Sequence, residues 1–241
     1  MQNHALIAST EAVARAVVPI LSVFPDAPRK LMICGTGFFI HERGCLATAA
    51  HVVRREHKWA LYEGTLLECD VMVEQLTINR EKDDPRMKHA WDIGVLQVQA
   101  PQKTYHPLRL STKTHFRRGE PIAQYGYYDQ GVRYQVGDLI GLNGLLTTGV
   151  VSASTNIRIG HLELGSRLIL DISAGPGSSG SPVFDPETAE VIGMIVSGKE
   201  KQVLGPGVDP SEMTIQHIPL GIAYSDPIIH LGMWLQKFVG G

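Results

Sequence analysis

Three short segments carry residue types that can do chemistry together: Thr48-Ala49-Ala50-His51, Asp92-Ile93-Gly94-Val95-Leu96 and Gly177-Ser178-Ser179-Gly180-Ser181-Pro182. Taken in that order they offer a base, a carboxylate to orient it and a hydroxyl nucleophile. A serine hydroxyl is a weak nucleophile at neutral pH and needs a neighbouring base to take its proton. An imidazole suits the task, because its unperturbed pKa lies at about 6.5. A buried carboxylate then fixes the imidazole tautomer and stabilises the imidazolium as it forms. The chemistry implied is attack on a carbonyl through a covalent acyl intermediate.

The same segments resemble the motifs of the trypsin-like (chymotrypsin-fold) serine peptidases. Thr-Ala-Ala-His matches the family's histidine motif, Asp92 to Leu96 its aspartate strand start, and Gly177 to Pro182 its Gly-x-Ser-Gly-x-Pro motif. Gly35-Thr36-Gly37-Phe38-Phe39 and Val191 to Gly198 are similar to two further strands of that fold, so the likeness spans roughly residues 31 to 225. Of Ser178, Ser179 and Ser181, only Ser179 has glycine two before, glycine one after and proline three after. The resemblance implies that His51 is general base and then acid, that Asp92 orients it and that Ser179 attacks. It also implies an oxyanion hole from the N–H groups of Gly177 and Ser179, each such donor being worth about 10²–10³-fold in rate. The substrate implied is a protein or peptide, with no cofactor and no metal. Its side chain would enter a pocket based on Ser173 and walled by Ser173, Ala174, Gly175 and Val196, Ser197, Gly198. No charged residue stands at those positions. Cleavage after an uncharged, small-to-medium apolar residue is expected, rather than after Lys or Arg.

One departure matters. The pancreatic relatives carry an aspartate just before the nucleophile, which pairs with a newly cleaved N-terminus. Here Ser178 stands there and no basic-Ile-Val-Gly-Gly sequence occurs. The chain is therefore more similar to bacterial and viral members, including the protease domain of the high-temperature-requirement family.

Competing readings of these residues are weaker. Gly175-x-Gly177-x-x-Gly180 matches a dinucleotide fingerprint in form, but that motif must open a helix, and Ser181-Pro182-Val183-Phe184-Asp185-Pro186 does not. A Gly-x-Ser-x-Gly elbow fails because residue 181 is serine. Asp83 and Asp84 are alternative carboxylates, but only Asp92 is flanked by an apolar setting, Trp91 and Ile93 to Leu96. The ten histidines show no metal-ligand spacing. Two functional rivals stay open: a catalytically silent member whose cleft binds a peptide or protein, and a gated protease switched on by an activating protein partner.

The elements that must position these groups are short strands. Among 241 residues, 25 glycines and 14 prolines supply many turns, and the length suffices for one all-β unit. We expect an all-β fold of two packed six-stranded antiparallel β-barrels, with a short N-terminal helix and a C-terminal helix. Residues 1–28 read as an N-terminal arm, about 29–115 as the first barrel, about 116–225 as the second and 226–241 as the C-terminal helix, all one peptidase unit. Ser9 or Thr10 caps the first helix, which runs toward Val18; Asn79 to His89, Tyr128 to Gly144 and Lys199 to Met213 read as loops. His51 and Asp92 then belong to the first barrel and Ser179 to the second. The 22 basic and 24 acidic residues leave a net charge of −2, which gives no reason to expect nucleic acid or a membrane as partner. Three cysteines, Cys34, Cys45 and Cys69, form no CxxC pair and read as buried thiols. The first basic residue, Arg15, interrupts the apolar run Ala12 to Phe24, which argues against a secretory signal or membrane span. A cytoplasmic location is the expectation.

Overall fold

Runs of β-branched and aromatic residues, broken by glycine and proline turns, draw most of this chain into strands. The computed structural model describes residues 2–24, 27–54, 58–79, 88–99, 101, 104–128, 134–135, 142–159, 162–206 and 213–239. In chain order, α1 (Gln2–Ala14) is followed by β1 (Val17–Phe24), β2 (Ala27–His41), β3 (Cys45–Thr48), the one-turn α2 (Ala50–Val53), β4 (Lys58–Tyr62) and β5 (Thr65–Val73). A small ribbon of β6 (Thr77–Asn79) and β7 (Lys88–Ala90) precedes β8 (Gly94–Val98). Then come β9 (Pro121–Gly126), β10 (Tyr134–Gln135), β11 (Leu145–Ile159), β12 (Leu162–Leu170), β13 (Pro182–Phe184), β14 (Val191–Pro206), β15 (Met213–Pro227) and α3 (Ile229–Val239).

The strands close into two six-stranded antiparallel barrels, as expected. The first runs β1-β4-β5-β8-β3-β2 and is sealed by pairing of β1 with β2, with β10 added on β2. The second runs β11-β12-β15-β14-β13-β9. Phe38, Phe39, Leu46, Trp91, Ile93 and Leu96 fill the first core, which continues through Phe184, Val191, Met194 and Leu231 of the second half. Ile122, Val151, Leu168, Leu170, Val183 and Ile195 fill the second. Burying such side chains contributes roughly 1.5–3 kcal/mol each relative to exposure.

Two local expectations are corrected. The N-terminal helix spans Gln2–Ala14, with Ser9 inside it rather than capping it. The Ser9 hydroxyl bonds the Leu6 and Pro186 carbonyls instead. Val17, Val18, Pro19 and Ile20 favour a strand, because β-branched side chains crowd a helix and proline breaks it; they form β1 and close the first barrel. Residues 199–206, read as loop, continue β14 and pair with β15 from Glu200 opposite Pro219 to Pro206 opposite Met213. The readings of 80–87 and most of 129–141 as loop fall outside the described residues. Among the described residues no helix is long and apolar enough to cross a membrane.

Candidate active site

β3 ends at Thr48, and the chain turns at Ala49 into α2, so His51 leaves the barrel at its rim. A helix of four residues has no stability of its own and must be held by packing. Its buried Val52 and Val53 do this. Gly94, two residues after Asp92, lies directly under it: a Cβ there would overlap Val53 Cγ2 and stand 3.3 Å from Ala50 Cα. The Asp-Ile-Gly spacing thus seats the carboxylate beside the histidine helix.

Both oxygens of Asp92 are engaged. His51 Nδ1 lies 2.6 Å from Asp92 Oδ2, and the His51 backbone N–H donates to Oδ1 at 3.0 Å. The Ala50 N–H donates to the Asp92 carbonyl at 3.2 Å. A neutral ring that donates from Nδ1 leaves Nε2 free to accept a proton, the form a general base needs. Burial by itself would push the Asp92 carboxyl up. The hydrogen bonds from the His51 ring and backbone, with the charges of His51 and Arg54, outweigh burial and hold it below the ordinary carboxylate range.

Burial separates the three serines of the loop. Ser178 and Ser181 are 2 % and 0 % exposed, whereas Ser179 is half-buried. The Ser178 hydroxyl donates to the Gly175 carbonyl at 2.6 Å and so staples the turn where the pancreatic relatives carry their aspartate. Gly180 adopts φ 90°, a backbone region that favours glycine. A Cβ on it would overlap Thr36 O and Thr48 Oγ1 and stand 3.0 Å from Ala49 N. The serine loop therefore rests on the strand end that leads into His51. Thr36 N–H donates to the Ser179 carbonyl at 2.8 Å, and Thr36 Oγ1 to the Gly177 carbonyl at 2.9 Å. Among the described residues, the N–H groups of Gly177 and Ser179 meet no acceptor, and no hydrogen bond joins Ser179 to His51.

Of the six residues expected to line the pocket, Gly198 and Ala174 meet. A Cβ on Gly198 would stand 2.6 Å from the Ala174 carbonyl oxygen, so the two walls touch. Ala174 is 3 % exposed and belongs to the second core, so its side chain serves packing as well. Tyr128, which the sequence reading left in a loop, has its hydroxyl within hydrogen-bond distance of Gln124 Oε1 (2.9 Å) and the Ser173 carbonyl (3.0 Å).

Two contributors went unrecognised in the sequence. Thr36 was visible as part of a strand motif but not as the seat of the serine loop. Asp226 was read as the opening of the last helix; in the structure its Oδ2 accepts the Asp92 N–H at 2.8 Å. An Asp-Pro pair ahead of an apolar helix carries no signal for that contact.

A family model of the trypsin-like peptidase domain matches residues 35–194. The chain belongs to the trypsin-like peptidase domain family. Curated relatives include a probable periplasmic serine endoprotease DegP-like of Brucella suis, 29% identical over 162 residues, covering 66% of this chain and 26% of the relative. Serine protease HTRA1B of Danio rerio is 28% identical over 168 residues, covering 66% of this chain and 29% of that protein. The chain thus spans little more than a quarter of the length of these relatives. Among solved structures, the HtrA-type protease AlgW with tripeptide aligns with a TM-score of 0.63 at 17% identity, covering 96% of this chain and 62% of that one. At that identity the likeness shows the fold. The expected cytoplasmic location is overturned, because the Brucella relatives are named as periplasmic. The N-terminal charge pattern behind that expectation does not report compartment.

Two outcomes are expected from the histidine–aspartate corner. Gly94→Ala should destabilise the chain by about 1–3 kcal/mol, the usual cost of overpacking, read as a lower urea midpoint. Asp92 has a depressed pKa, so its contribution to stability is present above the unfolded-chain value of about 3.9 and is lost as pH falls through the lower folded value. Urea unfolding of the wild type and Asp92→Asn should therefore differ most above pH ~5 and converge toward pH ~2; a difference that widens with acid would contradict this account.

Proposed function

We propose that the chain is a serine endopeptidase that hydrolyses peptide bonds through His51, Asp92 and Ser179. The observation that carries the reading is the doubly bonded His51–Asp92 pair at the rim on which the half-exposed Ser179 is seated. His51 takes the Ser179 proton, and Ser179 Oγ attacks the substrate carbonyl carbon. The N–H groups of Gly177 and Ser179, unengaged among the described residues, receive the oxyanion. His51 returns its proton to the leaving amine, and water attacks the acyl-enzyme with His51 again as base. Asp92 keeps the ring in the tautomer that this sequence needs. The substrate is a protein or peptide, in keeping with the tripeptide in the HtrA-type structure. The touching pocket walls and the uncharged residues along them favour a small-to-medium apolar side chain.

Gating by an activating protein partner is a second reading, favoured by one observation: no hydrogen bond links Ser179 to His51 among the described residues. A partner that reorders the serine loop would complete the base–nucleophile contact.

Covalent labelling with a fluorophosphonate probe, followed by peptide mapping, tests the mechanism. Modification is expected at Ser179, absent in Ser179→Ala, and slower by about 10⁴-fold in Asp92→Asn, the loss trypsin shows for the equivalent change. Labelling of Ser178 or Ser181 would contradict the assignment, and a folded chain that never labels would favour the gated protease or the silent binding module. A peptide library should be cut after uncharged residues; cleavage mainly after Arg or Lys would overturn the proposed pocket.

A further inference from the structure

Asp226 is 0 % exposed, at the end of β15 in the second barrel. A buried carboxylate is costly unless it is paired and hydrogen-bonded on both oxygens. Here Oδ1 takes Arg167 Nε and Nη2, each at 2.7 Å, from β12, and Oδ2 takes the backbone N–H of Asp92 at 2.8 Å. The first contact lies within the second barrel and the second crosses to the first. We propose that Asp226, held by Arg167, is a positioning residue that fixes Asp92, and through it His51, relative to the barrel that carries Ser179; this rests on the triad reading above.

Among the described residues, the other hydrogen bonds to Asp92 come from its own barrel, from the His51 N–H and ring and from the Ala50 N–H. Those bonds set the carboxylate against the histidine but not the pair against the serine loop. Thr36 ties the serine loop to the strand that feeds His51, and the Asp226 bond adds a second tie, from the second barrel to Asp92 itself. An ionised acceptor binds an N–H more tightly and at shorter range than a neutral one. Arg167 balances the charge and fixes the rotamer, so the Asp92 peptide N–H is pinned from the second barrel.

Single and double variants of the whole chain test this. Asp226→Ala should lower kcat on a cleaved peptide by about 10- to 100-fold with KM little changed, since misplacing reacting groups by about 1 Å can cost about 10²-fold. Asp226→Asn, which keeps an acceptor but loses the charge that holds Arg167, should fall between. On an Asp92→Asn background the same Ala substitution should add less than about threefold, because residues that act as one unit are not additive. The neutral-ring tautomer of His51, read by long-range ¹⁵N–¹H NMR and assigned with His51→Gln, should shift away from the Nδ1–H form in Asp226→Ala. Unchanged kcat and tautomer in the folded Ala variant, or losses that multiply in full with Asp92→Asn, would overturn the proposal. If the Ala variant does not fold, Asp226→Asn decides on the same two readouts. If the wild type turns over no substrate, the enzymatic reading falls and the tautomer alone decides this one.

Discussion

Two closed barrels each satisfy their own backbone, so their relative placement falls to the apolar core they share and to directional bonds across the seam. Thr36 is where they converge. It is fully buried and uses every polar group it has. Its N–H donates to the Ser179 carbonyl at 2.8 Å, and its carbonyl accepts from Thr48 Oγ1 at 2.7 Å. Its hydroxyl accepts the Tyr127 N–H at 2.9 Å and donates to the Gly177 carbonyl at 2.9 Å. One residue of β2 thereby ties together the strand that feeds His51, the exit of β9 and the turn that carries Ser179. The glycine at 180 follows from this, because a side chain there would occupy the space of Thr36 O and Thr48 Oγ1.

What could be read from sequence was what local packing forces into a pattern. Ala50 and Gly94 are small because the histidine helix lies on β8, so the histidine and aspartate motifs carry their geometry with them. The serine register was argued from turn glycines at fixed offsets, and it falls on the one serine of the three that the loop leaves half-buried. The strands legible in the sequence were those that carry motifs: Gly35 to Phe39 in β2, Asp92 to Leu96 at the start of β8 and Val191 to Gly198 in β14. Asp226 was not legible: its partners lie 59 and 134 residues away, and nothing local distinguishes it from a helix start. β1 was hidden by its neighbour, since a helical pattern before Ala14 runs into apolar residues that suit either element. The extension of β14 was masked by the polar stretch Lys199-Glu200-Lys201-Gln202, which offers no alternation to read.

The cysteines do not report compartment either. Cys34, Cys45 and Cys69 are all buried thiols, one each on β2, β3 and β5. Burial pushes the Cys69 thiol up to about 12, against a small opposing effect of the Ala60 backbone hydrogen bond, and raises Cys45 as well. A thiol held protonated and out of solvent neither attacks nor exchanges. Such residues stay reduced in an oxidising space as readily as in a reducing one, so a fold that draws its stability from two apolar cores carries no record of its surroundings in its cysteine count.

The charges behind His51 form a short series: Arg167, Asp226, Asp92, then the ring. A peptide N–H stands between the two carboxylates and a guanidinium at the far end. Asp92 keeps its pKa depressed although burial alone would raise it, because the His51 hydrogen bonds and the charges of His51 and Arg54 outweigh burial. An orienting carboxylate that stays ionised can stabilise an imidazolium at the moment Ser179 gives up its proton; one that took up a proton could not. On the proposed triad, the second barrel contributes more than a nucleophile: the Asp226 bond to the Asp92 N–H also helps set the place of the base.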